Sequence, residues 1–326
     1  MRERLRSRLE ITPRRYAQVT LVALGALALI VLTGAGVRLT GSGLGCPDWP
    51  RCYGQTVPPL ESHAVIEYGN RLLTGFVGIA VIAASALAFF RRPYRWHLAL
   101  FGALLPLGVI GQAILGAEVV KHHLAPGLVM LHFILSMMLL DAAFALAWCS
   151  RYEPWERRRS ADRLGVWAVR GLIPIGQLTI LAGTIATASG PHAGAHAGQL
   201  VHRFTFEGTG TLEWVVQRHA AIATVFGLAA IGAWLLLRRP GGDGRALRPL
   251  TATIGLLALQ GVVGGVQWAL KLPTEIVWVH VALATLTWLA MLWTVATAGR
   301  LEPRGVTTAA GEGTVRVDLA VRAKAL

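Results

Sequence analysis

The chain has 326 residues, of which 54% are hydrophobic and only 15% charged, and its mean hydropathy is +0.53. A soluble domain carries about a quarter charged residues, so the composition excludes an ordinary soluble enzyme, and the long apolar runs exclude a disordered chain. A formal net charge of +14 would suit a nucleic-acid partner in a soluble protein, but the placement of the charges gives them another role.

The first sixteen residues are polar and carry Arg2, Arg4, Arg6, Arg8, Arg14 and Arg15. They lack a small-residue cleavage site, so no removable signal peptide is expected. Eight apolar stretches follow at 18–37, 64–90, 98–118, 127–149, 166–189, 214–237, 249–270 and 275–298. Each is long enough to cross a hydrocarbon core of about 30 Å, which takes about 20 helical residues. Basic residues alternate between the connections. One side holds the N-terminal segment, Arg91, Arg92 and Arg95, the Arg151–Arg163 group, the Arg238–Arg248 group and the tail. The other side holds only Arg38, Arg51, Lys121, Arg203 and Lys271. The positive-inside rule places both termini in the cytoplasm and the chain in the cell membrane as a multi-pass protein. Nucleic acid is not an expected partner, and membrane lipid is the surrounding medium.

The first outer loop reads Gly45-Cys46-Pro47-Asp48-Trp49-Pro50-Arg51-Cys52. Disulfides persist outside the cytoplasm, and Cys46 and Cys52 could close one, as a loop staple or as part of a redox or cofactor-delivery device. Cys149, at the cytoplasmic end of the fourth span, reads as an inert core residue. In the second span Glu67 and Arg71 form an i, i+4 pair, with Asn70 on the face of Glu67. They read either as a self-neutralising buried ion pair or as part of a site. His63 lies on the same stripe if the helix extends that far, as a substitute ligand or as a solvated loop residue.

Histidines fall within three later spans, His132 in the fourth, His219 in the sixth and His280 in the eighth. Each is expected four to six residues inside the outer start of its helix, roughly 6–9 Å deep. The third outer loop adds His192, His196 and His202, without carboxylate or thiolate neighbours, and no specific metal site is expected there.

The two halves repeat. Gln112 and His132 are 20 residues apart, as are Gln260 and His280. The offset of about 148 residues that superposes them also brings Thr40-Gly41-Ser42-Gly43 onto Thr187-Ala188-Ser189-Gly190, Asn70 onto His219, Gly78 onto Gly227 and Gly116 onto Gly264. The expected fold is an all-α integral membrane protein with eight transmembrane helices, built as two four-helix bundles related by a pseudo-two-fold axis along the membrane normal. The expected division is residues 1–160, residues 161–300, and a disordered cytoplasmic tail over 301–326.

Ionisable residues inside a membrane are functional candidates by default, and neutral imidazole is a ligand for haem iron. His219 and His280, at one depth on facing helices, can hold a haem between them. In the first half the partner facing His132 is Asn70, a poor axial ligand. Glu67, Asn70 and Arg71 beside it suggest a site of different purpose, in which Arg71 can pair with a propionate.

These residues resemble the haem A synthase family. The resemblance rests on the run Val37-Arg38-Leu39-Thr40-Gly41-Ser42-Gly43-Leu44-Gly45-Cys46-Pro47-Asp48-Trp49-Pro50, on Glu67…Arg71, on Ser189-Gly190-Pro191-His192 and on the three helix histidines. Asn70 stands where the family usually has histidine, and Glu67-Tyr68-Gly69-Asn70-Arg71 looks like an actinobacterial-type variant. The resemblance implies a haem b ligated by His219 and His280 in the second half. It implies haem O as substrate in the first half, at His132, Asn70, Arg71 and Glu67. The implied reaction oxidises the C8 methyl of haem O to a formyl group by successive hydroxylation and loss of water, making haem A for cytochrome oxidase. Glu67 would shuttle protons or stabilise developing positive charge, and the haem b would relay electrons to an acceptor the sequence does not identify. Implied partners are haem O synthase, the cytochrome oxidase assembly apparatus and a second copy of the chain in a homo-oligomer. The competing readings are a bis-histidine electron-transfer cytochrome, a catalytically inactive relative, and a transporter of parallel repeats. A transporter would place charged residues near the midplane, whereas the polar groups singled out here are shallow.

Overall fold

The computed structural model describes residues 10–302 except 158, 197 and 207–209. It contains eight long helices: α1 (Pro13–Leu39), α2 (Ser62–Phe90), α3 (Trp96–Lys121), α4 (Pro126–Arg151), α5 (Arg163–Ser189), α6 (Thr211–Leu237), α7 (Leu247–Ala269) and α8 (Thr274–Thr297). All eight are long and apolar enough to cross a membrane, which makes this an all-α, multi-pass membrane protein. The expected tail lies outside the described residues beyond 302.

The helices overrun most of the predicted spans by a few residues because hydropathy marks the hydrocarbon boundary, not the last backbone hydrogen bond. Helix α1 begins five residues before the expected 18. Thr12 caps it by accepting from the Arg15 amide, and Pro13 occupies its first turn, a position where the missing N–H costs nothing. Asp162 caps α5 through the Gly165 amide at 2.9 Å. Pro106 and Pro174 sit inside α3 and α5, as membrane helices tolerate.

Helices α1 to α4 close into a ring, in which α1 packs on α2, α2 on α3, α3 on α4 and α4 back on α1. Helices α5 to α8 close in the same order. The two rings meet where α1 packs on α8, α4 on α5 and α4 on α8. Lipid removes most of the hydrophobic driving force between helices, so close approach and interhelical hydrogen bonds take its place. Thr20 meets Ser150 at 2.7 Å between α1 and α4, and Thr253 meets Thr294 at 3.1 Å between α7 and α8. The Trp278 indole donates to the Leu32 carbonyl at 3.0 Å, from α8 to α1. Leu98, Leu105, Leu140, Leu172, Leu250 and Met291 fill the interior, while Phe76, Leu107, Val225 and Leu228 face outward.

On the side where α1 starts, Arg91 is fully buried and paired with Glu153, which also lies 3.5 Å from Arg95. Two short strands absent from the sequence reading, β1 (Arg159–Ser160) and β2 (Arg300–Leu301), pair in parallel. They tie the α4–α5 connection to the segment after α8, aided by Arg163 donating to the Glu302 carbonyl at 2.9 Å.

Candidate functional site

The second ring brings His219 on α6 and His280 on α8 together, with ring centroids 6.3 Å apart and planes at 74°. Imidazole–metal bonds run about 2.0–2.1 Å, and a ring centre lies about 1 Å behind its nitrogen, so two imidazoles on one metal ion have centres about 6 Å apart. The pair has the separation that bis-imidazole ligation requires. His219 Nδ1 lies 3.1 Å from the Thr179 carbonyl of α5. A carbonyl only accepts, so Nδ1 carries the proton and Nε2 keeps its lone pair for a ligand. His280 Nδ1 is buried without a hydrogen-bond partner among the described residues.

Glycines make room for these rings. A Cβ on Gly183 would stand 3.0 Å from His219 Cε1, and one on Gly264 would stand 3.4 Å from His280 Cε1. His280 lies six residues after the start of α8, as expected, but His219 lies eight after the start of α6. The first turn of α6 begins before the apolar run at 214, which accounts for the three extra residues.

In the first ring His132 lies six residues into α4. A Cβ on Gly116 would stand 3.5 Å from its Cε1, the counterpart of the Gly264–His280 contact. The His132 carbonyl accepts from Gln112 Nε2 at 3.0 Å and from Ser136 Oγ at 2.9 Å. Among the described residues, Asn70 Oδ1, His132 Nδ1 and Gln112 Oε1 are buried without partners, as are Gln260 Oε1 and His280 Nδ1 in the second ring. Buried polar atoms are normally paired, and unpaired ones at matching positions of both rings fit sites that a ligand completes.

Glu67 and Arg71 are not an isolated pair. Glu67 is 6% exposed. Its Oε2 accepts from the Cys46 amide at 2.7 Å and its Oε1 from Arg71 Nη2 at 2.5 Å. Arg71 Nη1 donates to the carbonyls of Asp48 and Arg51, each at 2.9 Å, and Nη2 reaches the Cys46 carbonyl at 3.4 Å. Four hydrogen bonds therefore commit the guanidinium to the protein, leaving Nε of its five donors for the propionate expected from the sequence.

The clamped segment is the α1–α2 connection, and its two cysteines are joined: the Cys46–Cys52 disulfide has its Cα atoms 4.7 Å apart. The Asp48 carboxylate closes the turn by accepting from the Tyr53 and Gly54 amides at 2.6 and 2.8 Å. The Gly54 bond is the main influence holding its pKa below the usual carboxylate range. Gly45 is needed because a Cβ there would fall 2.2 Å from the His63 carbonyl at the start of α2.

His63 is a helical residue and half-buried. It sits in the first turn of α2, its Nδ1 is 2.9 Å from Ser42 Oγ, and its ring stacks on His196 at 4.8 Å and 12°. It joins the α1–α2 and α5–α6 connections, which also meet where the Gly43 amide donates to the Gly194 carbonyl at 2.7 Å and Arg38 to the His192 carbonyl at 2.8 Å. His192 Nε2 lies 2.7 Å from the Leu272 carbonyl. Sequence reasoning missed Asp141, fifteen residues into α4, which accepts from the Trp288 indole of α8 at 2.6 Å. This carboxylate lies deep where the rings meet, so the polar groups are not all shallow. An acidic residue in an otherwise apolar run was the available signal.

Set against known proteins, residues 17–292 match the model of a family described as cytochrome oxidase assembly protein, COX15-CtaA. The chain belongs to this family. Among its relatives, a "Heme A synthase" of Exiguobacterium sp. is 33% identical over 119 residues, covering 36% of this chain and 39% of the relative. A "Heme A synthase" of Lysinibacillus sphaericus is 32% identical over 123 residues, covering 37% and 40%. A "Protoheme IX farnesyltransferase" of Thermus thermophilus is 28% identical over 303 residues, covering 87% of this chain and 48% of that protein. The matches thus span between two fifths and one half of these relatives' own lengths.

Proposed function

We propose that this chain is a haem A synthase, an oxidoreductase that converts the C8 methyl of haem O to a formyl group and so supplies cytochrome oxidase with haem A. The observation that carries the reading is the His219–His280 pair, whose 6.3 Å separation suits two axial ligands of one haem, in a chain of the COX15-CtaA family. The second ring, residues 161–300, would hold a haem b, which when bound supplies one-electron transfer. A proton on His219 Nδ1, donated to the Thr179 carbonyl, would leave Nε2 for the iron. Gly183 and Gly264 leave space that a side chain would take from the rings.

The first ring, residues 1–160, would bind haem O. His132 and Asn70 offer it unpaired polar atoms. Arg71 positions the outer loop and keeps one N–H free, and Glu67 is the acid–base and electrostatic group. A carboxylate held by one guanidinium and one amide can take a proton when either contact loosens, and it opposes positive charge developing at a nearby carbon. The matching helix order of the rings and the matching Gly116–His132 and Gly264–His280 contacts support a duplicated unit with a pseudo-two-fold axis. The basic-residue bias supports cytoplasmic termini. The match to a protein named for farnesylating protohaem supports functional contact with the enzyme that makes haem O.

Co-expression with a haem O synthase in cells lacking haem A, followed by extraction and chromatography of the haems, tests the reading. Haem A or its hydroxylated precursor is expected. Bound haem b with haem O unchanged would overturn it in favour of an electron-transfer cytochrome, the alternative that Asn70 at a ligand position favours.

A further inference from the structure

The connection between α6 and α7 carries three arginines and the first turn of α7 a fourth, and the structure sorts them into two kinds. Arg239 pairs with Asp162 at 2.5 Å, and Arg245 pairs with Asp243. Arg238 and Arg248 have no carboxylate within ion-pair distance among the described residues, and both border one open surface depression, the cavity between the end of α6 and the start of α7. Its other lining residues are Trp234, Leu247, Thr251 and Ala252, none of them acidic.

The Arg238 guanidinium carbon lies 4.5 Å from the centre of the Trp234 ring, a cation–π contact that holds the charge beside the indole. The Trp234 indole is itself anchored by donating to Thr251 Oγ1 at 3.0 Å. Arg238 and Arg248 are both exposed. Below them the surface turns apolar along the same helix faces, through Leu235 and Ile231 on α6 and Ala252, Gly255 and Leu259 on α7. A Cβ on Gly255 would meet nothing within 4 Å, so the seam is open at that depth. Two unpaired guanidiniums above an apolar seam, with a tryptophan at the boundary, match a charged headgroup above acyl chains.

We propose that Arg238, Arg248 and Trp234 form a binding site for one anionic phospholipid, whose phosphodiester bridges the two guanidiniums while its chains follow the α6–α7 seam. Arg238 is nineteen residues from His219 along α6, about 28 Å, so the site is separate from the histidine pair. It lies on the side rich in basic residues, where a leaflet bearing negative lipid adds to the attraction.

Native mass spectrometry of the full chain tests the proposal, after delipidation and resupply with equimolar phosphatidylglycerol and phosphatidylcholine. Two basic contacts of ordinary strength at a membrane surface give a preference of roughly 30-fold for the anionic lipid. The double variant Arg238→Ala, Arg248→Ala is expected to reduce that preference towards parity. Arg151→Ala, an exposed arginine outside the cavity on the same side, is expected to leave it intact. Equal retention of both lipids by the unsubstituted chain would overturn the proposal without recourse to any variant, and so would an undiminished preference in the double variant. Displacement of the lipid by millimolar inorganic phosphate would also overturn it, by making the free anion the ligand.

Discussion

Replacing Gly183 with alanine tests the second site without touching a ligand. The added Cβ would stand 3.0 Å from His219 Cε1, whereas carbon atoms pack best at about 3.5–4.0 Å. The ring must therefore retreat from α5 by about 0.5 Å. Thr179, one turn before Gly183 on the same helix, holds His219 Nδ1 at 3.1 Å. The same retreat stretches that bond to about 3.6 Å, where it no longer counts as a hydrogen bond. Loss of such an outer contact to a metal-binding histidine typically costs 10–100-fold in affinity. The helix itself gains, since alanine is favoured over glycine by about 1 kcal/mol in a helix interior. The expected result is a chain whose thermal unfolding is unchanged or improved but whose haem binds at least about tenfold more weakly, read by haem titration of the purified protein and its low-spin absorption. Gly116→Ala is the control, because its Cβ would meet His132 Cε1 at an ordinary 3.5 Å. An unaltered affinity and spectrum for Gly183→Ala would refute the assignment of His219.

Trp288→Phe removes the donor to Asp141 and leaves a carboxylate without that partner where the rings meet, at a cost of about 1–3 kcal/mol; Asp141→Asn in the same background is expected to recover part of it in thermal unfolding. Cys46→Ser with Cys52→Ser opens a loop whose cysteines are six residues apart, worth roughly 2 kcal/mol in the chain-entropy view. Because Glu67 and Arg71 still clamp the loop, limited proteolysis is expected to cut it faster without unfolding the helices. The Asp243 pKa is lowered to about 2, chiefly by its bond to Arg245. A lowered folded value stabilises above the unfolded pKa of 3.8 and loses that contribution as pH falls towards 2. The unfolding midpoint of Asp243→Asn is therefore expected to fall less steeply than that of the parent chain between pH 5 and pH 3.

The eight spans were legible because a 30 Å apolar solvent leaves little choice of structure, and apolar runs of the required length declare themselves. His219 and His280 were legible as a pair because an imidazole in such a run is conspicuous and the 20-residue spacing from Gln260 repeats that from Gln112. The roles of Glu67 and Arg71 were only half legible. Their i, i+4 spacing announced the ion pair, but its other partners are backbone groups of the Cys46–Cys52 loop, and backbone contacts leave no mark in composition. His63 was left open between helix and loop because its polar flanks resemble loop; a helical turn extends past the apolar run, and the ring finds His196 more than a hundred residues away. Asp141 was overlooked because its partner is an indole on another helix, a pairing that charge counting does not register. Strands β1 and β2 are two residues each, too short for any periodicity.

The most direct measurement of the central claim supplies the purified, haem-loaded chain with haem O and an electron acceptor, and follows the substrate by mass spectrometry. The account predicts a product that has gained one oxygen and lost two hydrogens at the C8 methyl, formed by the parent chain and lost in Glu67→Gln while the haem held by His219 and His280 keeps its spectrum. Haem O recovered unchanged from the parent chain with that spectrum intact, or product formed equally well by Glu67→Gln, would contradict it.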